Sequence, residues 1–175
     1  MAFSSGKPSA WSRTGRLARI IIGAAIVLAV GYIGVIWIAP TGLIIFWPYA
    51  ALWAAVGWGA SRLSFRPVIV LIGLGLAMDL IVDAPLGCWS SILLLAFVIS
   101  SLFRQRALTD QTGVIRFAGD ATAFVVSFLF ARWIMGAYLG SVETRVIIGG
   151  FLTAAILYYP LRSLFRLTSD ARVDT

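Results

Sequence analysis

Two carboxylates four positions apart are the residues of this chain best placed for acid–base chemistry. Asp79 and Asp83 lie at the end of an apolar run, where a continuous helix would put both on one face. Paired carboxylates can exchange protons with a substrate when a pocket and a partner group are present. The structural alternative is a helix end near a membrane surface, with Asp83 solvated. We favour this structural interpretation.

The chain contains no histidine, and Cys88 is its single cysteine. These facts exclude intrachain disulfides, histidine-ligated metal or haem, histidine proton relays and Ser–His–Asp catalysis. Cys88 stands beside Trp89 at an expected helix start, where a small apolar filler is favoured over a reactive thiol. We therefore expect no catalytic residue, no cofactor and no metal site, and the chain is not predicted to be an enzyme.

Arg132 lies inside a long apolar run, where a charge is costly in a membrane. At 1.5 Å per residue, Asp79 and Asp83 stand about 18 and 24 Å along their run, and Arg132 stands about 22 Å along its own. Matching depths and opposite signs predict an ion pair with Asp79 or Asp83, and Asp79 is the deeper candidate. Two alternatives stay open: Arg132 reaches the outer surface, or Asp79 caps the turn after it. Asp120 is explained by solvation or by pairing with Arg116.

The composition is typical of a membrane protein. Of 175 residues, 61% are hydrophobic and 12% are charged, with mean hydropathy +0.97, whereas soluble domains carry about 25% charged residues. The apolar runs predict an all-α integral membrane protein, a bundle of six transmembrane helices at 20–39, 43–60, 67–82, 86–103, 117–138 and 146–164. They leave a basic N-terminal segment, 1–19, and a polar tail, 165–175. Pro160 is expected to kink or end the last helix.

The positive charges predict the orientation. With a cytoplasmic N-terminus, the inner segments hold twelve Lys and Arg residues, the outer segments hold only Arg145, and Arg132 lies within a helix. This bias predicts an even number of spans with both termini in the cytoplasm. The net charge of +7 does not indicate nucleic-acid binding, because the charges flank apolar runs and no soluble module carries a basic face. The first run is too long for a signal peptide core and is expected to be retained.

Small residues and tryptophans add two further expectations. Pairs of small residues predict close helix packing at three places: Gly73 and Gly75, Gly149 and Gly150, and Gly136 and Gly140. The last pair fits the Gly-x-x-x-Gly pattern of associating transmembrane helices. Four tryptophans fall near the expected outer boundary and are predicted to be interfacial anchors: Trp37, Trp47, Trp89 and Trp133.

The segment from Gly75 to Gly87 reads Gly-Leu-Ala-Met-Asp-Leu-Ile-Val-Asp-Ala-Pro-Leu-Gly. It resembles the signature of the rod shape-determining protein MreD family, which has a Gly-x-x-x-Asp-Leu helix end, a short polar turn and a Leu-Gly that opens the next span. We call residues 75–87 the signature segment. The resemblance covers roughly 46–166 in order.

Two other parts of the chain are also similar to this family. One is the second span, which begins Trp-Pro-Tyr-Ala-Ala-Leu at Trp47 and continues to Trp58. The other is the last span, with Tyr-Tyr-Pro-Leu from Tyr158 and a basic exit. Many members carry an acidic or amide residue where this chain has Tyr49.

The resemblance implies a non-enzymatic subunit of the bacterial cell-elongation machinery in the inner membrane. Such a subunit binds MreC directly and helps couple MreB filaments to RodA and its transpeptidase in peptidoglycan synthesis. The structural or partner-contact candidates are Asp79, Asp83, Pro85, Gly87, Arg132, Gly136 and Gly140.

Two alternative functions remain. The family is similar in fold to the substrate-binding S components of energy-coupling-factor vitamin transporters, so the chain could be such a subunit. Expected external loops of three to seven residues, poor in hydrogen-bonding groups, count against a small-molecule substrate. A membrane lipid phosphatase or acyltransferase would need a histidine, an acidic metal cluster or a nucleophile–base pair, which the sequence does not offer.

Overall fold

The computed structural model describes residues 15–34, 47–59, 65–107, 114–138, 144–165 and 167. Every regular element in these ranges is a helix: α1 (Arg16–Ile33), a short 3-10 helix (Trp47–Ala50) that leads into α2 (Ala51–Gly59), α3 (Phe65–Val82), α4 (Cys88–Ala107), α5 (Val114–Tyr138) and α6 (Thr144–Phe165). The predicted all-helical class is confirmed.

Four of these helices, α3 to α6, contain a stretch long and apolar enough to cross a membrane, and α1 contributes a shorter apolar stretch, Leu17–Ile33. These helices indicate a membrane-embedded protein. The count of six spans and the side on which the termini lie stay predictions.

The helices extend beyond the apolar runs at their charged ends. α1 begins at Arg16, inside the basic segment that was expected to precede it. α4 begins two residues later than expected and continues to Ala107 through Arg104 and Arg106. Arginine is a good helix former, and its charge is favourable near a helix C-terminus. Boundaries drawn from apolar residues alone therefore cut these helices short.

Pro160 lies inside α6, which continues to Phe165. The alternative in which this proline ends the helix is therefore wrong. A proline removes the hydrogen bond to the carbonyl four residues earlier, here that of Ile156. Helices in membranes tolerate this loss where neighbouring groups satisfy the freed carbonyl. The continuation matters because it carries Arg162 to Asp120 on α5, with 2.8 Å between Nη2 and Oδ2.

The short helix α2 forms the centre of the bundle, and all nine of its residues are buried. The indole N–H of Trp53 donates to the carbonyl of Ala154 on α6 at 2.8 Å. From α4, the hydroxyl of Ser100 donates to the carbonyl of Val56 at 3.0 Å. A Cβ at Gly59 would stand 2.7 Å from a carbonyl oxygen of α4. A helix that is apolar on all sides is expected to be buried in this way.

One end of the bundle contains the starts of α1, α3 and α5 and the ends of α2, α4 and α6. Gly23 of α1 lies against Trp58 of α2 and Phe165 of α6, and Gly119 of α5 lies against Phe103 of α4. We call it the basic end. Seven arginines of the described ranges belong to helix segments at this end: Arg16, Arg19, Arg66, Arg104, Arg106, Arg116 and Arg162.

The opposite end, which we call the turn end, contains the connection between α3 and α4. There Gly31 of α1 lies against Met78 on α3. A Cβ added to Gly31 would stand 3.4 Å from the methionine sulfur. In the described ranges, the arginines of this half are Arg132 and Arg145. The asymmetry of charge between the two ends agrees with the bias from which the orientation was predicted.

Candidate functional site at the turn end

The signature segment folds into a tight turn that joins α3 to α4. The amide of Ala84 donates to the carbonyl of Asp79 at 2.9 Å, and the amide of Cys88 donates to that of Pro85 at 3.1 Å. Asp83 leaves the helical region with a φ of 56°, a conformation that aspartate tolerates better than most residues. Because α3 ends at Val82, the two aspartates do not share a helix face. Asp79 is buried and Asp83 is exposed.

Asp79 caps the helix that follows its own. Its side chain is 1% exposed. Oδ2 accepts the amide of Gly87 at 2.7 Å, and Oδ1 accepts the amide of Trp89 at 2.8 Å. The first amides of a helix have no partner within the helix. Gly87, the residue before α4, has no side chain with which to cap them. The carboxylate of Asp79 supplies that cap, with a charge favourable at a helix N-terminus.

This arrangement confirms one of the roles considered for Asp79, the cap on the turn that follows it. Both oxygens of its carboxylate accept hydrogen bonds from backbone amides at the start of α4, so the cap is the role that the structure gives it. The ion pair with Arg132 stays a prediction.

Gly75 allows α4 to come within reach of this carboxylate. A Cβ at Gly75 would overlap the backbone N and Cα of Ser90, so the two helices touch here. The hydroxyl of Ser90 donates to the carbonyl of Ile72 at 3.0 Å across the same contact. Gly73, by contrast, has no other residue within 4 Å of an added Cβ. Of this predicted pair, one glycine makes the close contact.

Arg132 lies on α5 beside a cluster of aromatic side chains. Its positive charge acts electrostatically on the hydroxyl of Tyr49. The ring of Tyr49 packs edge-on against Trp89 and against Phe151, with centroids 5.9 Å apart in both pairs. Tyr49, where the chain departs from the family pattern, is thus part of the core. Trp89 is fully buried, so its predicted role as an interfacial anchor is wrong.

A cleft of about 420 Å³ opens between the turn and α5. It is lined by Pro85, Leu86, Gly87, Cys88, Ser91, Trp133, Ile134 and Ala137. Its volume is within the range of about 300–1,000 Å³ found for ligand sites. The structure therefore brings two of the predicted residues, Pro85 and Gly87, to one side of a cleft, and the end of α5 to the other. Cys88 is buried, as a filler would be.

The glycine pair near the end of α5 was predicted to pack closely against another helix, and the structure shows no such contact at Gly136 among the residues it describes. Gly136 is exposed, and within 4 Å an added Cβ would meet only Arg132 Nη1, at 3.7 Å. Gly140 lies outside the described residues. Gly136 thus packs against no other helix in the described part of the chain.

A row of small residues on α5, which the predicted glycine pairs did not include, begins at its contact with α4. They are spaced four apart on one face and are all buried: Gly119, Ala123, Ser127 and Ala131. At Gly119 an added Cβ would stand 2.5 Å from the Cβ of Phe103 on α4. The sequence signal was a four-residue repeat of Gly, Ala and Ser.

At the basic end, Asp120 pairs with Arg162 of α6, a partner that sequence spacing did not suggest.

Comparisons of the chain with protein-family models, curated proteins and solved structures found no match. The geometry of the turn end, together with the resemblance carried by the signature segment, is therefore the basis for assigning a function.

Proposed function

We propose that this chain is a non-enzymatic adaptor of the bacterial cell-elongation machinery. In this proposal it crosses the inner membrane six times, keeps both termini in the cytoplasm, and shares its fold with the energy-coupling-factor S components. It binds MreC directly and helps couple MreB filaments to RodA and its transpeptidase. The observation that carries the proposal is the cap made by Asp79. The most distinctive residue of the signature segment is buried and shapes a turn, which supports a structural role for it.

Exposed apolar side chains at the turn end support a docking role. Leu80, Leu86 and Trp133 are 76%, 74% and 70% exposed. In a membrane such side chains face lipid or another helix. Gly136 lies on α5 near Trp133, and a small residue there lets a second backbone approach closely. We therefore place the single span of MreC against the end of α5, with its adjoining stalk over the cleft.

The cleft also supports a second candidate function. A volume of about 420 Å³ could hold a vitamin-sized molecule, as an S component of an energy-coupling-factor transporter requires. The two candidates predict different consequences when the gene is deleted. Loss of the adaptor changes cell shape, whereas loss of the transporter subunit creates a requirement for a vitamin.

We expect Gly136→Leu to reduce several-fold the amount of MreC that co-purifies with this chain from native membranes. The larger side chain would hold the two helices apart. Gly73→Leu is the matched control, because Gly73 is also exposed but lies on α3 away from the cleft. Deletion cells should lose their rod shape. Rod-shaped deletion cells that need a vitamin, or an energy-coupling ATPase recovered in place of MreC, would favour the transporter.

The topology of the proposal predicts which positions are accessible from each side. Single cysteines introduced at residues 6, 111 and 169 into a Cys88→Ser background should react only with reagents that cross the membrane. Cysteines at residues 42 and 141 should react with impermeant maleimides applied to intact spheroplasts. Reaction of residue 111 from outside would overturn the six-span arrangement.

A further inference from the structure

A second cavity lies nearer the basic end, between α5 and α6. These helices are consecutive in the chain, but they are not among the helix pairs whose backbones pack closely. Aromatic side chains bridge the gap, with centroid distances of 5.8, 5.1 and 4.4 Å for Phe117–Tyr159, Phe124–Tyr158 and Phe128–Phe151. Beside these rings is a cavity of about 340 Å³. We call it the α5–α6 groove.

Apolar side chains form nearly all of this groove, and its rim is exposed. Val125 on α5 and Leu152 on α6 are half exposed, and Ile156 is 71% exposed. The helices that carry this rim are both apolar enough to cross a membrane. The rim therefore faces the hydrocarbon interior, where acyl chains are the available material to fill a gap.

The length of the groove distinguishes an acyl chain from a partner's transmembrane helix. Its lining runs from Phe117 to Val125 on α5 and from Phe151 to Tyr159 on α6, which is about 12 Å at the helical rise. The hydrocarbon core of a bilayer is about 30 Å thick. A spanning helix, about 10 Å wide, would need a seat along that whole thickness. The groove instead matches a chain from one leaflet, that of the basic end.

A guanidinium suited to a phosphate, that of Arg162, lies beside the groove and is not part of its lining. Asp120 lines the groove and pairs with Arg162 through Nη2. Arg162 remains partly exposed, with 18% of its side chain accessible. Its Nε–H is a buried donor with no hydrogen-bond partner in the described part of the chain. A guanidinium has five N–H donors and is well matched to phosphate oxygens. The surplus of arginines at the basic end favours anionic over zwitterionic lipids.

We infer that the α5–α6 groove holds one acyl chain of an anionic phospholipid from the basic-end leaflet, with the lipid phosphodiester on the guanidinium of Arg162. This site lies on different residues from the cleft at the turn end. It requires that the protein be embedded in a membrane and does not require that it bind MreC.

Native mass spectrometry of the full chain tests the site, using detergent-purified protein titrated with phosphatidylglycerol. Wild-type protein should retain one lipid, and Ala121→Phe, which fills the groove, should weaken its binding about tenfold. Ala118→Phe is the matched control, because Ala118 is an exposed alanine of α5 outside the groove lining. This control should bind as the wild type does. Equal retention by Ala121→Phe and wild type would overturn the inference.

The phosphate contact is tested with Arg162→Lys, because lysine keeps a positive charge for Asp120 but lacks the planar group of donors. Phosphatidylglycerol should bind this variant about tenfold more weakly, while circular dichroism shows an unchanged helix content. Wild-type protein should prefer phosphatidylglycerol to phosphatidylcholine of the same chain length. Equal binding of the two lipids, or an unchanged affinity in Arg162→Lys, would show that no anionic headgroup is recognised.

Discussion

Asp79→Ala is expected to lower the free energy of unfolding by about 3–6 kcal/mol, because each of two hydrogen bonds to a charged acceptor contributes about 1.5–3 kcal/mol. The substitution leaves the amides of Gly87 and Trp89 without their acceptor, and the second of these is buried. The charge that stabilises the start of α4 is also lost. Titration with sodium dodecyl sulfate, followed by far-UV circular dichroism, measures the change in mixed micelles.

Two aspartate-to-asparagine variants test whether the loss of stability comes from the cap or from the removal of a negative charge. Asp79→Asn keeps one carbonyl oxygen but replaces the other oxygen with an amide NH2, which cannot accept a hydrogen bond. This variant should lose about 1.5–3 kcal/mol of stability. Asp83→Asn changes an exposed residue, and asparagine also tolerates a positive φ. This control should stay within about 0.5 kcal/mol of the wild type. Equal losses in the two variants would contradict the cap.

A double-mutant cycle tests the ion pair that charge and depth had suggested. If backbone amides hold Asp79, the effects of Asp79→Ala and Arg132→Ala should add to within about 0.5 kcal/mol. A coupling energy of several kcal/mol would restore the arginine as the partner of this carboxylate.

The case of Asp79 shows where inference from the sequence succeeds and where it stops. An acidic residue in an apolar run had to have a partner, because an isolated charge in a membrane is costly. Side-chain charges can be located in a sequence, so Arg132 was the first partner proposed, and a cap on the following turn was kept as an alternative. Almost every residue has a backbone amide, so no residue type in the sequence identifies the amides that a helix start leaves without a partner. The available signal was Gly87, which stands at the cap position and has no side chain.

Helix boundaries show a similar limit. Apolar runs predicted the helices, because a chain in lipid must satisfy its backbone hydrogen bonds internally. The runs could not predict that α4 continues through Arg104 and Arg106, where charged side chains leave the apolar region but the backbone stays helical. The ion pair of Asp120 with Arg162 depends on how α5 and α6 approach each other. That approach follows from packing around α2, which no local pattern reveals.

Gly75→Ala is the second substitution for which we expect a large effect, a loss of about 2–3 kcal/mol of stability. The added Cβ would overlap the backbone of Ser90, and backbone atoms cannot move aside as the end of a flexible side chain can. α3 and α4 would have to separate. That movement would draw Asp79 away from the amides of Gly87 and Trp89, so overpacking and the loss of the cap would act together.

Gly73→Ala is the matched control, two residues earlier on the same helix. An added Cβ at Gly73 meets no other residue within 4 Å, so the main effect is the better helix propensity of alanine. This variant should gain about 0.5–1 kcal/mol. The same substitution should therefore change the stability in opposite directions at two positions about 3 Å apart along α3, at about 1.5 Å per residue. Equal shifts in the two variants would mean that Ser90 does not touch Gly75, and the turn would then need another explanation for its geometry.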